Sequence, residues 1–507
     1  MDDLFHLKYN TTRPVVVAWD ESNLSVSPIV DSLLPLLKVE VKSIEQDEIE
    51  KEGPDGQTVT IKAGSKVRRR VVPLFDKVHT PRGSSLVTMH GFVDMVVQHL
   101  KDNKIPHHLH DLRMPMPVPD MDAMHGFRFS QEQLLRDALI QRRSGLIGAP
   151  TRFGKTTLIK NSCRAFKGYP IVVCLPGKDL IDQTYSDLCQ ALPDRTVTKV
   201  GGGSSGKQCS DITVCSVDSL HKLNPDKVRV MLIDEPHSLP TDSRMPEFVK
   251  FGKALKLGFG ATLEGRFDGR DPMITGLIGP VLSNRTYLEA VAEGAISPIV
   301  VYMVRLPISA KNFRNRNSAY KHHFFQSPKV RDHIRRLFTP GEIIPEAWQS
   351  LCFIQNEAQV DFLSAGLAGL PFDVAMAKLL TTVDRRAMMQ RMKTGETMRV
   401  LASNIYAQGV TFSDLRVMIN AAGGGASTQS IQKPGRVAEI RPGKKAGIVI
   451  DFLCVPDDSL RHNKGSDMSW SLVRESAARY ENYKKTGFYV YVVDDLSQIK
   501  PALQSLL

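Results

Sequence analysis

The pattern of apolar and polar positions changes character near residue 120. Before that point apolar residues alternate with polar ones. Leu37-Lys38-Val39-Glu40-Val41 and Thr58-Val59-Thr60-Ile61 are examples, and this alternation predicts half-buried strands. The charged run 45–52 lies between them and leads into Gly53-Pro54-Asp55-Gly56, a turn signature. The segment predicts a hairpin with an acidic tip. Residues 91–100 carry apolar positions at helical spacing, and Pro115, Pro117 and Pro119 mark a linker. Beyond about 121, short runs apolar on both faces alternate with helix-compatible stretches. Runs at 171–175, 212–215, 228–233 and 255–259 predict buried strands. A second series starts after about 296, with strands predicted at 351–354, 398–402, 417–419 and 448–450, and one more at 488–493. The fold class is α/β. Two tandem domains, each with a mostly parallel sheet, follow a small α+β N-terminal domain. The expected divisions are 1–120, 121–295 and 296–460, with a C-terminal extension at 461–507.

Composition adds little until charge is counted. The chain has 507 residues, 42% hydrophobic and 24% charged, which is ordinary for a globular protein. Its formal net charge of +12 favours polyanionic partners. Lys66, Arg68, Arg69 and Arg70 stand beside the predicted hairpin, either as a solvated strand edge or as a contact for nucleic-acid phosphates. The seven cysteines form no C-x-x-C pair and several sit in apolar runs, which predicts reduced core thiols and a cytoplasmic protein. The acidic N-terminus lacks the apolar core of a signal peptide, and no membrane span is expected. The adjacent His322 and His323 have no carboxylate or cysteine cluster beside them, so a packed or solvated pair is favoured over a metal site.

Two strings carry candidate chemistry. Ala149-Pro150-Thr151-Arg152-Phe153-Gly154-Lys155-Thr156, followed by Thr157, fits the phosphate-cradling pattern G-x-x-x-x-G-K-[ST] apart from its first position. An apolar stretch leads in and a helix-compatible run leads out. The backbone N–H groups of such a turn, and the dipole of the helix it opens, favour anionic oxygens. Lys155 is then the residue for the outer phosphates of ATP and Thr156 for Mg²⁺. Asp234-Glu235-Pro236-His237 ends an apolar strand. Asp234 is placed to hold Mg²⁺ and Glu235 to activate water, while His237 is either a nucleotide contact or a packed imidazole.

Further short segments, in this order, resemble superfamily 2 helicases over roughly residues 125–452. Phe127-Arg128-Phe129-Ser130-Gln131 is similar to the family's L-R-x-x-Q segment, whose glutamine reads adenine. Pro176-Gly177-Lys178-Asp179-Leu180, with Gln183, resembles the motif that touches nucleic-acid backbone, and Ser216 lies in one that contacts the same strand. Gly258-Phe259-Gly260-Ala261-Thr262 is similar to the coupling motif. Arg266-Phe267-Asp268-Gly269 follows it, as in DNA repair helicases. Gln355 and Asn356, then Ser403 with Gln408 and Gly409, then Gln432-Lys433-Pro434-Gly435-Arg436, resemble the motifs of the second domain. Phage recombination and branched-DNA helicases look most similar among the subfamilies.

The resemblance implies two RecA-like domains with ATP between them. Gly409, Gln432 and Arg436 then join the nucleotide site, and Arg436 serves as the arginine completing it. Pro176, Lys178, Gln183, Ser216, Gln355, Asn356 and Ser403 become strand contacts. Arg152 stands where the family carries glycine, and Glu439 where it carries a second arginine, with Arg441 two residues on as an alternative. The implied activity is ATP-driven movement on duplex, forked or branched DNA. An RNA helicase, or a nucleic-acid clamp with little turnover, remains the alternative.

Overall fold

The computed structural model describes residues 14–506 except 21, 53–57, 82, 205, 262, 264–267, 377–381, 404–413, 426–431 and 464–466. The chain forms two compact units. The first comprises residues 1–43, 67–149 and 154–284, and the second 44–66, 150–153 and 285–507.

The first unit contains a seven-stranded parallel sheet. Its order across the sheet is Val197–Val200, Ile212–Ser216, Ile171–Leu175, Val230–Asp234, Leu255–Gly260, Gly145–Gly148 and Val281–Asn284. The second unit has the sheet Asp373–Ala375, Arg399–Ala402, Gln349–Phe353, Leu415–Asn420, Gly447–Pro456, Ile299–Ile308 and Tyr489–Val493. Numbered along the chain within each unit, both sheets run 3-4-2-5-6-1-7. These are the two tandem parallel sheets that the apolar runs imply, and the RecA-like pair that the resemblance implies. The central strands bury both faces, as in Ile171–Leu175, where every residue is buried. A strand buried on both faces reads as a continuous apolar run.

Several expectations are corrected in detail. The charged run 45–52 is strand, not a connection: Lys38–Glu52 pairs with Thr58–Pro73 as a two-stranded ribbon. The expected turn at 53–56 lies outside the described residues. The proline stretch is no free linker. The Pro115 carbonyl accepts from Arg229 at 3.0 Å, and the Val118 N–H donates to the Tyr169 hydroxyl at 3.3 Å. Ile299–Ile308, a ten-residue strand inside the second sheet, was not expected. The tail strand Tyr489–Val493 is an edge of that same sheet.

The N-terminal segment builds a five-stranded mixed sheet in the order Phe75–Thr80, Gly83–Met89, Asn23–Ser27, Val15–Trp19 and His107–Asp111. The helix Val93–Asp102 turns Val93, Val96 and Leu100 inward, matching the helical spacing read from the sequence. This sheet packs directly on the first unit's helix Asp271–Ile278. A Cβ on Gly276 would lie 2.8 Å from the Phe92 ring, and one on Gly91 1.9 Å from the Thr275 carbonyl oxygen.

One charge is buried at this junction. Lys256, in the strand Leu255–Gly260, is 2% exposed. Its Nζ lies 3.3 Å from His90 Nε2 and 3.4 Å from the Leu277 carbonyl. His90 Nε2 is itself 3.0 Å from that carbonyl. The nitrogen cannot both donate to Leu277 and accept from Lys256, so the ammonium is poorly compensated. Burial pulls the Lys256 pKa down from 10.5 to about 8, and burial with the Lys256 charge pulls His90 down to about 3. Below pH 8 the lysine is charged in both folded and unfolded states and the whole penalty applies. It fades as pH rises toward 10.5. Lys256→Met should therefore raise stability at pH 7 by roughly 1–3 kcal/mol. Thermal melts should show this gain shrinking between pH 8 and 10. A variant less stable than wild type at pH 7 would contradict the assignment.

Candidate nucleotide site

The site is built on strand ends. Gly145–Gly148 is wholly buried and ends at the loop 149–154, after which the helix Lys155–Ala165 begins. Leu158, Ile159 and Cys163 anchor that helix in the core. Gly154 has φ +106°, and a Cβ there would sit 2.4 Å from Gln131 Nε2. The positive φ favours glycine, and a larger residue would also have to displace the Gln131 amide. Gln131 is buried against the loop, and its Oε1 accepts from the Arg128 N–H at 2.9 Å.

The neighbouring strand Leu255–Gly260 aligns the two motifs. Its Gly260 carbonyl accepts from the Ala149 N–H at 2.9 Å, and its Phe259 carbonyl accepts from the Glu235 N–H at 2.9 Å. Asp234 is the last residue of Val230–Asp234, and Glu235 turns the chain at φ +52°. The left-handed conformation of a non-glycine residue here is local strain of the kind found at functional sites.

This geometry gathers charge. Lys155 Nζ contacts Glu235 Oε1 and lies 3.8 Å from Asp234 Oδ1. His237 Nδ1 is 3.3 Å from Glu235 Oε2. A cavity of about 80 Å³ lined by Lys155, Thr156, Lys160, Leu175, Asp187 and Asp234 lies alongside. Burial pushes the Asp234 carboxyl up, with Lys155 opposing it. Burial acts on Glu235 in the same direction but loses to Lys155 and His237, which hold it below the ordinary carboxylate range. Glu235 is thus kept as a carboxylate.

The donor set fits a phosphate chain and a hard cation. Asp234 Oδ1 is buried and makes no hydrogen bond among the described residues. Thr156 is exposed on the first turn of the helix. Mg²⁺ takes few protein ligands and completes its shell with water and phosphate oxygens, so one carboxylate and one hydroxyl suit it.

Within the second unit, the loop tip 150–153 meets the turn Pro434–Val437. A Cβ on Gly435 would be 2.5 Å from Thr151 Cβ. Phe153, Gln432 and Arg436 are buried. Arg152 NH1 lies 3.7 Å from Glu439 Oε2, and Arg441 NH2 2.8 Å from Glu439 Oε1. The Arg152–Glu439 contact was not anticipated. The signal available was that two departures of opposite charge fell in the phosphate loop and in the last motif of the second domain.

The expected strand contacts divide. Lys178 and Gln183 are exposed and Pro176 half-buried beside the strand Ile171–Leu175. Ser216 faces inward, its hydroxyl 3.0 Å from that of Ser219. Gln355 is exposed, whereas Asn356 caps the helix Glu357–Gly366 by accepting from the Gln359 N–H at 2.9 Å. Ser403 follows the strand Arg399–Ala402, and its N–H donates to the Ala375 carbonyl at 3.0 Å. Gly409, with Gln408, Thr262, Arg266 and Phe267, lies outside the described residues. Thr157 sits in the first turn of the helix after the loop, its N–H donating to the Gly154 carbonyl at 2.8 Å. His323 is packed, with Nε2 3.1 Å from the Ser469 hydroxyl. Among the described residues no group of three or more His, Cys, Asp and Glu could hold a metal, and no helix is long and apolar enough to cross a membrane.

Residues 124–265 match the family described as "Type III restriction enzyme, res subunit". The "DNA 3'-5' translocase XPB2" of Sulfurisphaera tokodaii is 23% identical over 379 residues, covering 67% of this chain and 84% of that protein. Among solved structures, S. cerevisiae Dbp5 bound to RNA and ADP BeF3 superposes with a TM-score of 0.51 at 14% identity, covering 75% of this chain and 98% of that one. The type ISP restriction-modification enzyme LlaBIII bound to DNA gives 0.52 at 13% identity, covering 81% of this chain and 35% of that one. Residues 124–265 are thus similar to that restriction-enzyme family, and the paired sheets share the fold of these solved structures.

Proposed function

We propose that this protein is an ATP-dependent DNA translocase or helicase acting on duplex, forked or branched DNA. The observation that carries the reading is the buried group Lys155, Asp234, Glu235 and His237 at the mouth of the phosphate loop. Lys155 gives up a carboxylate partner to an outer phosphate of ATP. Asp234 and Thr156 hold Mg²⁺, which spreads the charge of the phosphates when bound. Glu235, kept ionised, accepts a proton from the attacking water. Gln131 contacts the adenine, the loop 149–154 with Thr157 cradles the phosphates, and Gly409 and Gln432 belong to the same site. Arg436 is the arginine that stabilises charge on the transferring phosphate.

The net charge of +12 suits a nucleic-acid partner, and the DNA-translocase relative favours DNA over RNA. Lys178, Gln183 and Gln355 are the exposed strand contacts. Pro176 lies beside them, with Ser403, Ser216 and Asn356 shaping the same segments. Membership of a phage recombination or repair pathway, and action in the cytoplasm, belong to this reading.

Two substitutions separate binding from chemistry. Lys155→Ala should weaken ATP binding by about tenfold or more, because it removes a direct phosphate contact. Glu235→Gln should leave binding within about threefold while cutting turnover by roughly 100-fold or more. Calorimetric binding and phosphate release measure both, and near-normal hydrolysis by either variant contradicts the site.

Arg68, Arg69 and Arg70 are exposed on the ribbon strand Thr58–Pro73. Replacing all three with glutamine should make the log–log salt dependence of forked-DNA binding shallower, by up to about 3. A slope equal to that of wild type would assign these arginines to solvent.

A further inference from the structure

The phosphate loop carries an arginine of its own, and that arginine is already paired. Arg152 occupies the loop two residues before Gly154 with φ +73°, a conformation that costs a non-glycine side chain. Glycine would adopt it without strain, so the side chain has to offset the cost. Its guanidinium points to Glu439, with NH1 3.7 Å from Oε2. Glu439 is shared, since Arg441 NH2 approaches its other oxygen at 2.8 Å. Side-chain exposure is 15% for Arg152 and 24% for Glu439, so the pair is largely screened from water. Burial disfavours the Arg152 charge and holds its pKa below the ordinary value, with Glu439 opposing this in part.

Resting on the ATP reading above, we infer that Arg152 is a phosphate-site arginine supplied by the loop itself, and that Glu439 is the anion ATP displaces from it. A triphosphate cradled by residues 149–156 brings several negative oxygens to the loop that carries Arg152. Arg152 NH1 lies 3.7 Å from the Glu439 carboxylate, beyond hydrogen-bond length, and a phosphate oxygen offers a shorter charge-assisted contact in place of that one. Glu439 keeps Arg441 after the exchange, so no carboxylate is left buried and unpaired. The two departures from the family pattern are then one reciprocal change: a positive charge gained by the loop and a negative one gained opposite it. Arg152 adds charge stabilisation in cis to that from Arg436.

The test is a double-mutant cycle on the full chain with Arg152→Gln, Glu439→Gln and the pair, reading ATP affinity and turnover with saturating DNA. Arg152→Gln should lower kcat by about 10- to 100-fold, and Arg152→Lys should recover part of the loss. Glu439→Gln should tighten ATP binding by about threefold or more, because the competing anion is gone, and this gain should vanish in the Arg152→Gln background. Melting temperatures check that each variant folds. If Arg152→Gln does not fold, Arg152→Lys and Glu439→Gln still carry the affinity test. Turnover of Arg152→Gln within twofold of wild type overturns the inference. So does tighter binding by Glu439→Gln that persists without Arg152, or no tightening at all. A wild-type chain that binds no ATP would instead overturn the nucleotide reading itself. ATP turnover abolished by Lys155→Ala but untouched by Arg152→Gln would overturn only the role given to Arg152.

Discussion

One lysine set between two carboxylates in a poorly hydrated crevice is the constraint from which the rest of the site follows. Lys155, Asp234 and Glu235 come from different elements and are brought together only because two main-chain hydrogen bonds fix the end of the central strand Leu255–Gly260. Gly260 fixes the start of the phosphate loop and Phe259 fixes Glu235. Three formal charges with net −1 in low dielectric are costly to hold, and the cost falls when a cation and a polyanion enter together. The arrangement is thus poised toward a metal–triphosphate complex. Its buried, unbonded Asp234 oxygen is where the imbalance is concentrated.

The second sheet repeats the strand order of the first but uses a buried carboxylate differently. In the middle of the strand Gly447–Pro456 it has Asp451, wholly buried and neutralised by Arg479 through bonds of 2.8 and 2.9 Å. Tyr483 donates to the same carboxylate at 2.8 Å and Asn420 at 3.0 Å. Arg479 and Tyr483 lie on the long helix Trp470–Thr486, so the tail is tied to the strand Gly447–Pro456. Arg479 also donates to the Gly424 carbonyl at 2.5 Å. A carboxylate whose bonds are all satisfied by protein is structural. One with an oxygen left over, as at Asp234, is available for chemistry.

Legibility in the sequence followed the length and purity of the apolar signal. The run at 171–175 is apolar throughout and that at 255–259 is interrupted only by Lys256, and the observed strands begin where they do. Ile299–Ile308 was missed although Ile299–Val304 is apolar throughout; only its last four residues are interrupted, by the exposed Arg305 and Pro307. The acidic run 45–52 read as a connection because its strand lies in a two-stranded ribbon, where no second face demands apolar residues. The Lys155, Asp234 and Glu235 group was legible from motif spacing. The inward turn of Ser216, the capping by Asn356 and the pairing of Arg152 with Glu439 were not, because spacing along a chain carries no information about where a side chain points.

The central claim is that the charge group at the phosphate loop drives work on nucleic acid. Steady-state phosphate release from ATP by the wild-type chain, titrated separately with forked DNA, linear duplex and single-stranded RNA, addresses it directly. The account expects hydrolysis in the presence of Mg²⁺ that rises at least severalfold and saturably with DNA, most with the fork. Hydrolysis that is undetectable, or unchanged by every nucleic acid, would contradict it.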